Sequence, residues 1–217
     1  MNVEQARYNM VEQQIRPWEV LDQGVLDLLF EVHREEFVPA ACRDLAFVDM
    51  EIPLGRGEVM LAPKLEARML QELALRPGDK VLEVGTGSGY MTALLARRAA
   101  HVYSVEIDAE LKAFGEANLK RHGIVNVTLE QGDAARGWTR HAPYDVIVLT
   151  GSVPLLAEAF AHSLTVGGRL LAVVGEPPVM RARLTMCTAE GAFGEVDVFD
   201  TCIPPLRNAP APPRFSF

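Results

Sequence analysis

Apolar positions along the 217 residues recur with two spacings, and the spacings sort the chain into helices and strands. Val25, Leu28, Leu29 and Val32 follow the i, i+3, i+4, i+7 order of a helix with one buried stripe, and Asp22 stands where a cap would accept its first amides. Leu65, Met69, Leu70 and Leu73 repeat the stripe behind Pro63, which suits a first helical position. Residues 3 to 16 read as an earlier helix, broken at Pro17. Other apolar runs are too short for helices: Lys80 to Val84, His101 to Ile107, Tyr144 to Thr150 and Arg169 to Val174 read as strands, and Val125, Val127 and Leu129 alternate as another. Helix-forming stretches at 91–100, 109–122 and around Pro154 to Leu164 separate them, the second stopping at Gly123. Met180 to Met186 and Glu195 to Cys202 flank Glu190-Gly191 as an antiparallel hairpin. Alternating strand and helix predicts an α/β domain with a doubly wound, mostly parallel sheet.

The first of those strands runs straight into glycines on alternate positions, Glu83-Val84-Gly85-Thr86-Gly87-Ser88-Gly89-Tyr90, and then into helix. A turn of this kind admits left-handed backbone and the close approach of a flat ligand. A dinucleotide site would space its glycines G-x-G-x-x-G around a pyrophosphate. The G-x-G-x-G spacing and Glu83, which would oppose a phosphate but accept from an ammonium, disfavour a nicotinamide-dependent oxidoreductase. Glu106 ends the next strand about 20 residues on, where such folds grip ribose hydroxyls. A ribose, a cationic amino-acid end and no phosphate describe S-adenosyl-L-methionine.

With Gly132-Asp133 after the third strand and Leu164-Thr165-Val166-Gly167-Gly168-Arg169-Leu170 before the fifth, these motifs resemble those of S-adenosylmethionine-dependent methyltransferases. Met10-Val11-Glu12-Gln13-Gln14-Ile15-Arg16, Phe37-Val38-Pro39, Pro53-Leu54-Gly55-Arg56-Gly57 and Pro63 narrow the likeness to the protein-L-isoaspartate O-methyltransferase family, over about residues 5 to 206. The resemblance implies a Rossmann-like methyltransferase sheet with a C-terminal antiparallel hairpin and an N-terminal helical lid. A docked arm with only a packing role is the competing reading of those helices. It also implies a cofactor site of Glu83, Gly85, Thr86, Gly87, Ser88, Gly89, Glu106, Ile107, Gly132, Asp133 and Ala134, with S-adenosyl-L-homocysteine as product. Asp133 would accept from the adenine amino group; read without the glycine motif, it is equally a turn or cap acid. One domain is expected over 1–217: lid and acceptor loop at 1–62, cofactor-binding core at 63–206, and a proline-rich tail at 207–217, whose Phe215 and Phe217 would lie loose or pin it to a neighbour.

The acceptor loop departs from the family. Where a Thr-Ile-Ser triplet is typical, this chain has Val59, Met60 and Leu61, so both hydroxyls are gone. The substrate lip is then expected from Val59, Leu61, Pro63, Thr150 and Ser152, the last two being either polar groups near the acceptor or caps of the next helix. Methylation of a protein or peptide carboxylate is the first reading. Transfer to a more apolar acceptor, and a protein that binds the cofactor without turnover, are the alternatives. A carboxylate is already ionised at neutral pH and requires no general base, so no catalytic acid or base is assigned.

With 49% hydrophobic and 23% charged residues, the composition is that of a globular domain, and a net charge of −8 opposes binding to a phosphate backbone. No apolar run reaches membrane-spanning length, the N-terminus lacks a signal-peptide layout, and a cytoplasmic protein is expected. Cys42, Cys187 and Cys202 are too scattered for a disulfide or redox pair, and the five histidines lack ligand spacing, so no metal is expected. Nothing in the pattern fixes an oligomeric state.

Overall fold

The computed structural model describes residues 2–212; the expectation for Phe215 and Phe217 lies outside the described residues. Asn2 caps α1 (Val3–Asn9), accepting from the Gln5 amide at 3.2 Å. The helical path continues through a wider π turn at Met10–Ile15 and a tighter 3-10 turn at Arg16–Trp18, where Pro17 ends it. Asp22 caps α2 (Gln23–Glu31) through the Val25 amide at 3.0 Å. The segment expected as a loop after Ile52 is a hairpin of β1 (Ile52–Gly55) and antiparallel β2 (Glu58–Met60). Its two turn residues, Arg56 and Gly57, both have positive φ, the conformation that matches the twist of paired strands. Pro63 then opens α3 (Pro63–Leu73).

From there strand and helix alternate: β3 (Lys80–Val84), α4 (Tyr90–Arg98), β4 (His101–Glu106), α5 (Ala109–Arg121), β5 (Val127–Gln131), β6 (Tyr144–Leu149), α6 (Glu158–His162), β7 (Leu164–Glu176). β8 (Val179–Ala189) and β9 (Ala192–Thr201) form the expected C-terminal hairpin. The sheet order is β5-β4-β3-β6-β7-β8-β9, with the first five strands parallel and the last two antiparallel. Val125 is 88% exposed and lies outside β5. The helix expected around 154–164 is confined to the single turn of α6, because Ser152 and Val153 form bridges with Pro205 and Val174 before it begins.

Successive residues of a buried strand point to opposite faces, which is why β3 and β6 read as continuous apolar runs. Val81, Val146 and Val148 face one core with α3 and the N-terminal arm; Leu82, Val84, Ile147 and Leu149 face the other, with Phe160 of α6. The N-terminal segments belong to the first core: Met10, Val11, Ile15, Leu26 and Phe37 are fully buried there. Trp18 also meets Phe199 of β9 edge-on at 5.5 Å. Among the described residues before Leu54, none lines the main cleft. The buried stripe of α2 packs on α3 and α4.

Candidate functional site

The chain leaves β3 towards β4 and β5 on one side and returns through β6 and β7 on the other, so the strand order reverses between β3 and β6. Helices diverge at such a point and leave a crevice at the carboxyl ends of the strands. The main cleft lies there, with about 700 Å³ of space opening to solvent. Its walls come from the ends of β3 (Val84, Gly85, Gly87), β4 (Glu106, Ile107), β5 (Gly132 to Ala135) and β6 (Thr150, Gly151). The β1–β2 hairpin adds Leu54, Glu58, Val59 and Leu61, and Pro204 to Arg207 close the opposite side.

The glycine turn is built for bare backbone. Gly85, Gly87 and Gly89 have φ of +102°, +51° and +80°, a region that strains other residues. A Cβ on Gly89 would also sit 3.0 Å from the Gly115 carbonyl, so this glycine lets the turn pack on α5 rather than face the cleft. Glu106 is held rigidly: its carboxylate accepts from the Gly87 amide at 2.9 Å and the Asp108 amide at 3.0 Å. Asp133 accepts from the Ala135 amide at 3.0 Å and from Asn208 Nδ2 at 2.9 Å, and still lines the cleft.

Three of the residues expected to touch the cofactor support the turn from beneath instead. Glu83 is fully buried, does not line the cleft, and accepts from the Thr92 and Ser104 hydroxyls at 2.5 and 2.6 Å, while its Oε1 has no partner. Thr86 shares a hydrogen bond of 2.6 Å with Ser104, and the Ser88 hydroxyl accepts from the Tyr90 amide at 3.3 Å. The physical reason is the strand's alternation: Glu83 points inward between buried neighbours. Burial pushes its carboxyl up to about 8, against the two hydroxyl bonds that lower it. Since this folded value exceeds the ordinary 4.5, the stability it contributes is fully present below about pH 4.5 and is lost as pH rises through about 8. Glu83→Gln is therefore expected to flatten the fall in stability between about pH 5 and 8, by up to roughly 1.4 kcal/mol per pH unit in denaturation midpoints converted to free energies. Parallel pH profiles for the two proteins would show Glu83 ionised throughout.

The acceptor side also needs correction. Leu61 lines the cleft while 96% buried, and Val59 sits beside it, so the hairpin presents an apolar wall. Pro63 is buried at the start of α3 and does not reach the cleft. Ser152 is fully buried and donates to the Ile203 carbonyl at 2.9 Å. Thr150 lines the cleft, but its hydroxyl donates inward to the Val84 and Gly85 carbonyls at 2.9 and 2.8 Å. Neither hydroxyl caps α6, whose N-cap position is Ala157.

The wall formed by Pro204, Pro205, Leu206 and Arg207 was not legible in the sequence. It is held by main-chain bonds to the end of β6: the Ser152 amide donates to Pro204 at 2.9 Å and the Leu206 amide to Ser152 at 2.8 Å. The Arg207 guanidinium reaches Glu58 at 2.6 Å and the Arg56 carbonyl at 2.9 Å, and Asn208 binds Asp133, so the wall crosses the expected boundary at residue 206. Behind the hairpin, the fully buried Arg34 donates to the Leu61 carbonyl at 2.6 Å and the Ala46 carbonyl at 3.0 Å, and pairs with buried Glu66. Cleft carboxylates from Glu58, Glu106 and Asp133 outnumber the single guanidinium of Arg207 among the lining residues, which favours a ligand of net positive charge. No cluster of metal-binding side chains occurs among the described residues.

Comparison with known proteins places this geometry. The family model for protein-L-isoaspartate(D-aspartate) O-methyltransferase matches residues 5–193. A protein-L-isoaspartate O-methyltransferase of Koribacter versatilis is 39% identical over 79% of this chain and 77% of its own length. One from Gloeobacter violaceus is 36% identical over 92% of this chain and 97% of its own. Among solved structures, a Plasmodium falciparum chain described as a protein-L-isoaspartate O-methyltransferase in complex with S-adenosyl-L-homocysteine superposes with a TM-score of 0.79 at 20% identity, over 92% of this chain and 97% of its own. A second structure of that enzyme name gives 0.77 at 24% identity, over 94% of this chain and 65% of its own. At those identities the structures speak for the fold alone.

Proposed function

This chain belongs to the protein-L-isoaspartate(D-aspartate) O-methyltransferase family, and from that premise we propose that it methylates a carboxylate of protein or peptide substrates, using S-adenosyl-L-methionine in the cleft at the ends of β3 to β6. The observation that carries the reading is the cleft's chemistry: a bare glycine wall beside a rigid carboxylate, an acidic lining and no cluster of cations for phosphates.

Gly85 and Gly87 would lie against the amino-acid end, Glu106 would accept from the ribose hydroxyls, and Asp133 and Ala134 would meet the adenine edge. The cofactor supplies a sulfonium methyl that passes to a carboxylate oxygen as the carbon–sulfur bond breaks, its electron pair going to sulfur, to leave a methyl ester and S-adenosyl-L-homocysteine. The protein's share is positioning and exclusion of water, which Leu54, Leu61 and Leu206 provide as apolar walls. No proton has to be moved. The three cysteines form no disulfide, which fits a reducing, cytoplasmic compartment.

The test is transfer of radiolabelled methyl to an isoaspartyl peptide and to its aspartyl twin, with base-labile label counted. Label on the isoaspartyl peptide alone is expected. The apolar wall of Val59 and Leu61 favours a second reading, transfer to a more apolar acceptor, and absence of label from a chain that binds S-adenosyl-L-homocysteine would select it. Restoring both hydroxyls with Val59→Thr and Leu61→Ser is expected to raise kcat/KM for the isoaspartyl peptide about tenfold, since a hydrogen bond to a charged acceptor contributes roughly 1.5–3 kcal/mol and some is lost to the vacated space at Leu61. An unchanged or lower kcat/KM in that variant would show that acceptor recognition lies elsewhere in the cleft.

A further inference from the structure

A carboxylate entering this cleft meets few donors. The side chains of Val59 and Leu61 offer none, Thr150 donates inward to the glycine turn, and Ser152 is buried away from it. Among the described lining residues the one cationic side chain is Arg207. It stands beside the acceptor hairpin, its side chain 37% exposed, with Nε donating to Glu58 Oε1 at 2.6 Å and Nη2 to the Arg56 carbonyl at 2.9 Å. A second carboxylate oxygen, Asp108 Oδ2, lies 3.5 Å from Nη1. The fork of an arginine matches a carboxylate geometrically, and here the carboxylate it holds belongs to a neighbouring side chain that also lines the cleft.

We propose that Arg207 is the acceptor-binding residue of this chain: the substrate carboxylate takes the place of Glu58 on the guanidinium, and the cation supplies the orientation that the missing loop hydroxyls do not. This rests on the reading of the chain as a carboxylate methyltransferase. Held through one oxygen, the acceptor keeps the other for in-line attack. Glu58 then competes with substrate for Arg207, and the strap at 204–207 belongs to the acceptor site rather than to a tail.

The experiment is steady-state methylation of an isoaspartyl peptide by wild type, Arg207→Ala, Arg207→Lys, Glu58→Gln and the Arg207→Ala/Glu58→Gln double variant, with calorimetric binding of S-adenosyl-L-homocysteine to each. Arg207→Ala is expected to raise the peptide KM about 10- to 100-fold, with product affinity within about twofold of wild type and Arg207→Lys intermediate. Glu58→Gln is expected to lower KM, and that gain is expected to vanish when Arg207 is already alanine. If Arg207→Ala and Glu58→Gln raise KM alike, or Arg207→Ala weakens S-adenosyl-L-homocysteine binding in step with KM, Arg207 is a clasp between loops and the proposal is overturned. It is equally overturned if the Glu58→Gln gain survives without Arg207, since simple charge repulsion then accounts for it. A wild type that binds S-adenosyl-L-homocysteine yet labels no isoaspartyl peptide instead removes the functional reading, and this inference with it; an active wild type with an unaffected Arg207→Ala removes the inference alone.

Discussion

Arg34→Ala is expected to lower stability by about 3–5 kcal/mol, the range for breaking a buried ion pair from one side. For a chain of this length that corresponds to a fall of roughly 6–20 °C in the thermal midpoint. Arg34 is fully buried, pairs with Glu66, donates to the Leu61 and Ala46 carbonyls, and lies 5.2 Å from the centre of the Tyr90 ring. Its removal strands three acceptors at once. Burial already pushes the Glu66 carboxyl up to about 7, with Arg34 opposing the shift. Without the cation the folded value rises further above 4.5, and Glu66 keeps a proton in the folded state over a wider range. The variant is therefore expected to lose more stability at pH 8 than at pH 5, measured by denaturant unfolding at each. Arg34→Met with Glu66→Leu, which removes both charges, is expected to recover most of the loss. A loss below about 1 kcal/mol in the single variant, at either pH, would mean that the pair is solvated.

Gly85→Ala is expected to weaken S-adenosyl-L-homocysteine binding at least tenfold in calorimetry. The residue has φ of +102°, and its new Cβ would overlap the Thr150 hydroxyl, which donates to the Val84 and Gly85 carbonyls at the start of the turn. Backbone strain of this kind costs about 1–3 kcal/mol, and rotation of Thr150 away from the clash forfeits its two bonds. Adding Thr150→Ala is expected to restore part of the affinity, because it relieves the overlap but not the strain. Wild-type affinity in Gly85→Ala would place the ligand away from this turn.

Much of the fold was legible because the strands are short and buried on both faces. Val81 to Val84 and Val146 to Leu149 read as strands without ambiguity, and the alternate glycines after β3 mark the cleft in the sequence itself. What the sequence concealed depends on direction and distance. A strand residue's facing cannot be fixed until its neighbours are known, so Glu83 read as a ligand contact when it is a buried support. Ser152 and Thr150 carry the hydroxyls expected near an acceptor, yet both are committed to carbonyls of the protein's own chain. Arg207 and Glu58 are separated by 149 positions, and no local pattern announces that they meet. The buried stripe of α2 was legible as a stripe; what it packs against was not, and its partners are α3 and α4.

The cleft's two sides come from different stretches of chain. Residues 84–151 supply the strand-end walls, whereas the hairpin at 54–61 and the strap at 204–207 supply the facing walls, and the two facing pieces grip each other through Arg207 and Glu58. Leu61 is buried in one core with Val81 and Val146, and Leu206 packs against the other, so only the partly exposed positions of the facing pieces, Glu58 and Arg207 among them, can change without disturbing the parallel strands. Under the proposed function, such positions leave acceptor preference open to laboratory selection while the strand-end walls stay constant. Exchanging hairpin and strap together between relatives, rather than either one alone, is the economical way to move a preference from one scaffold to another.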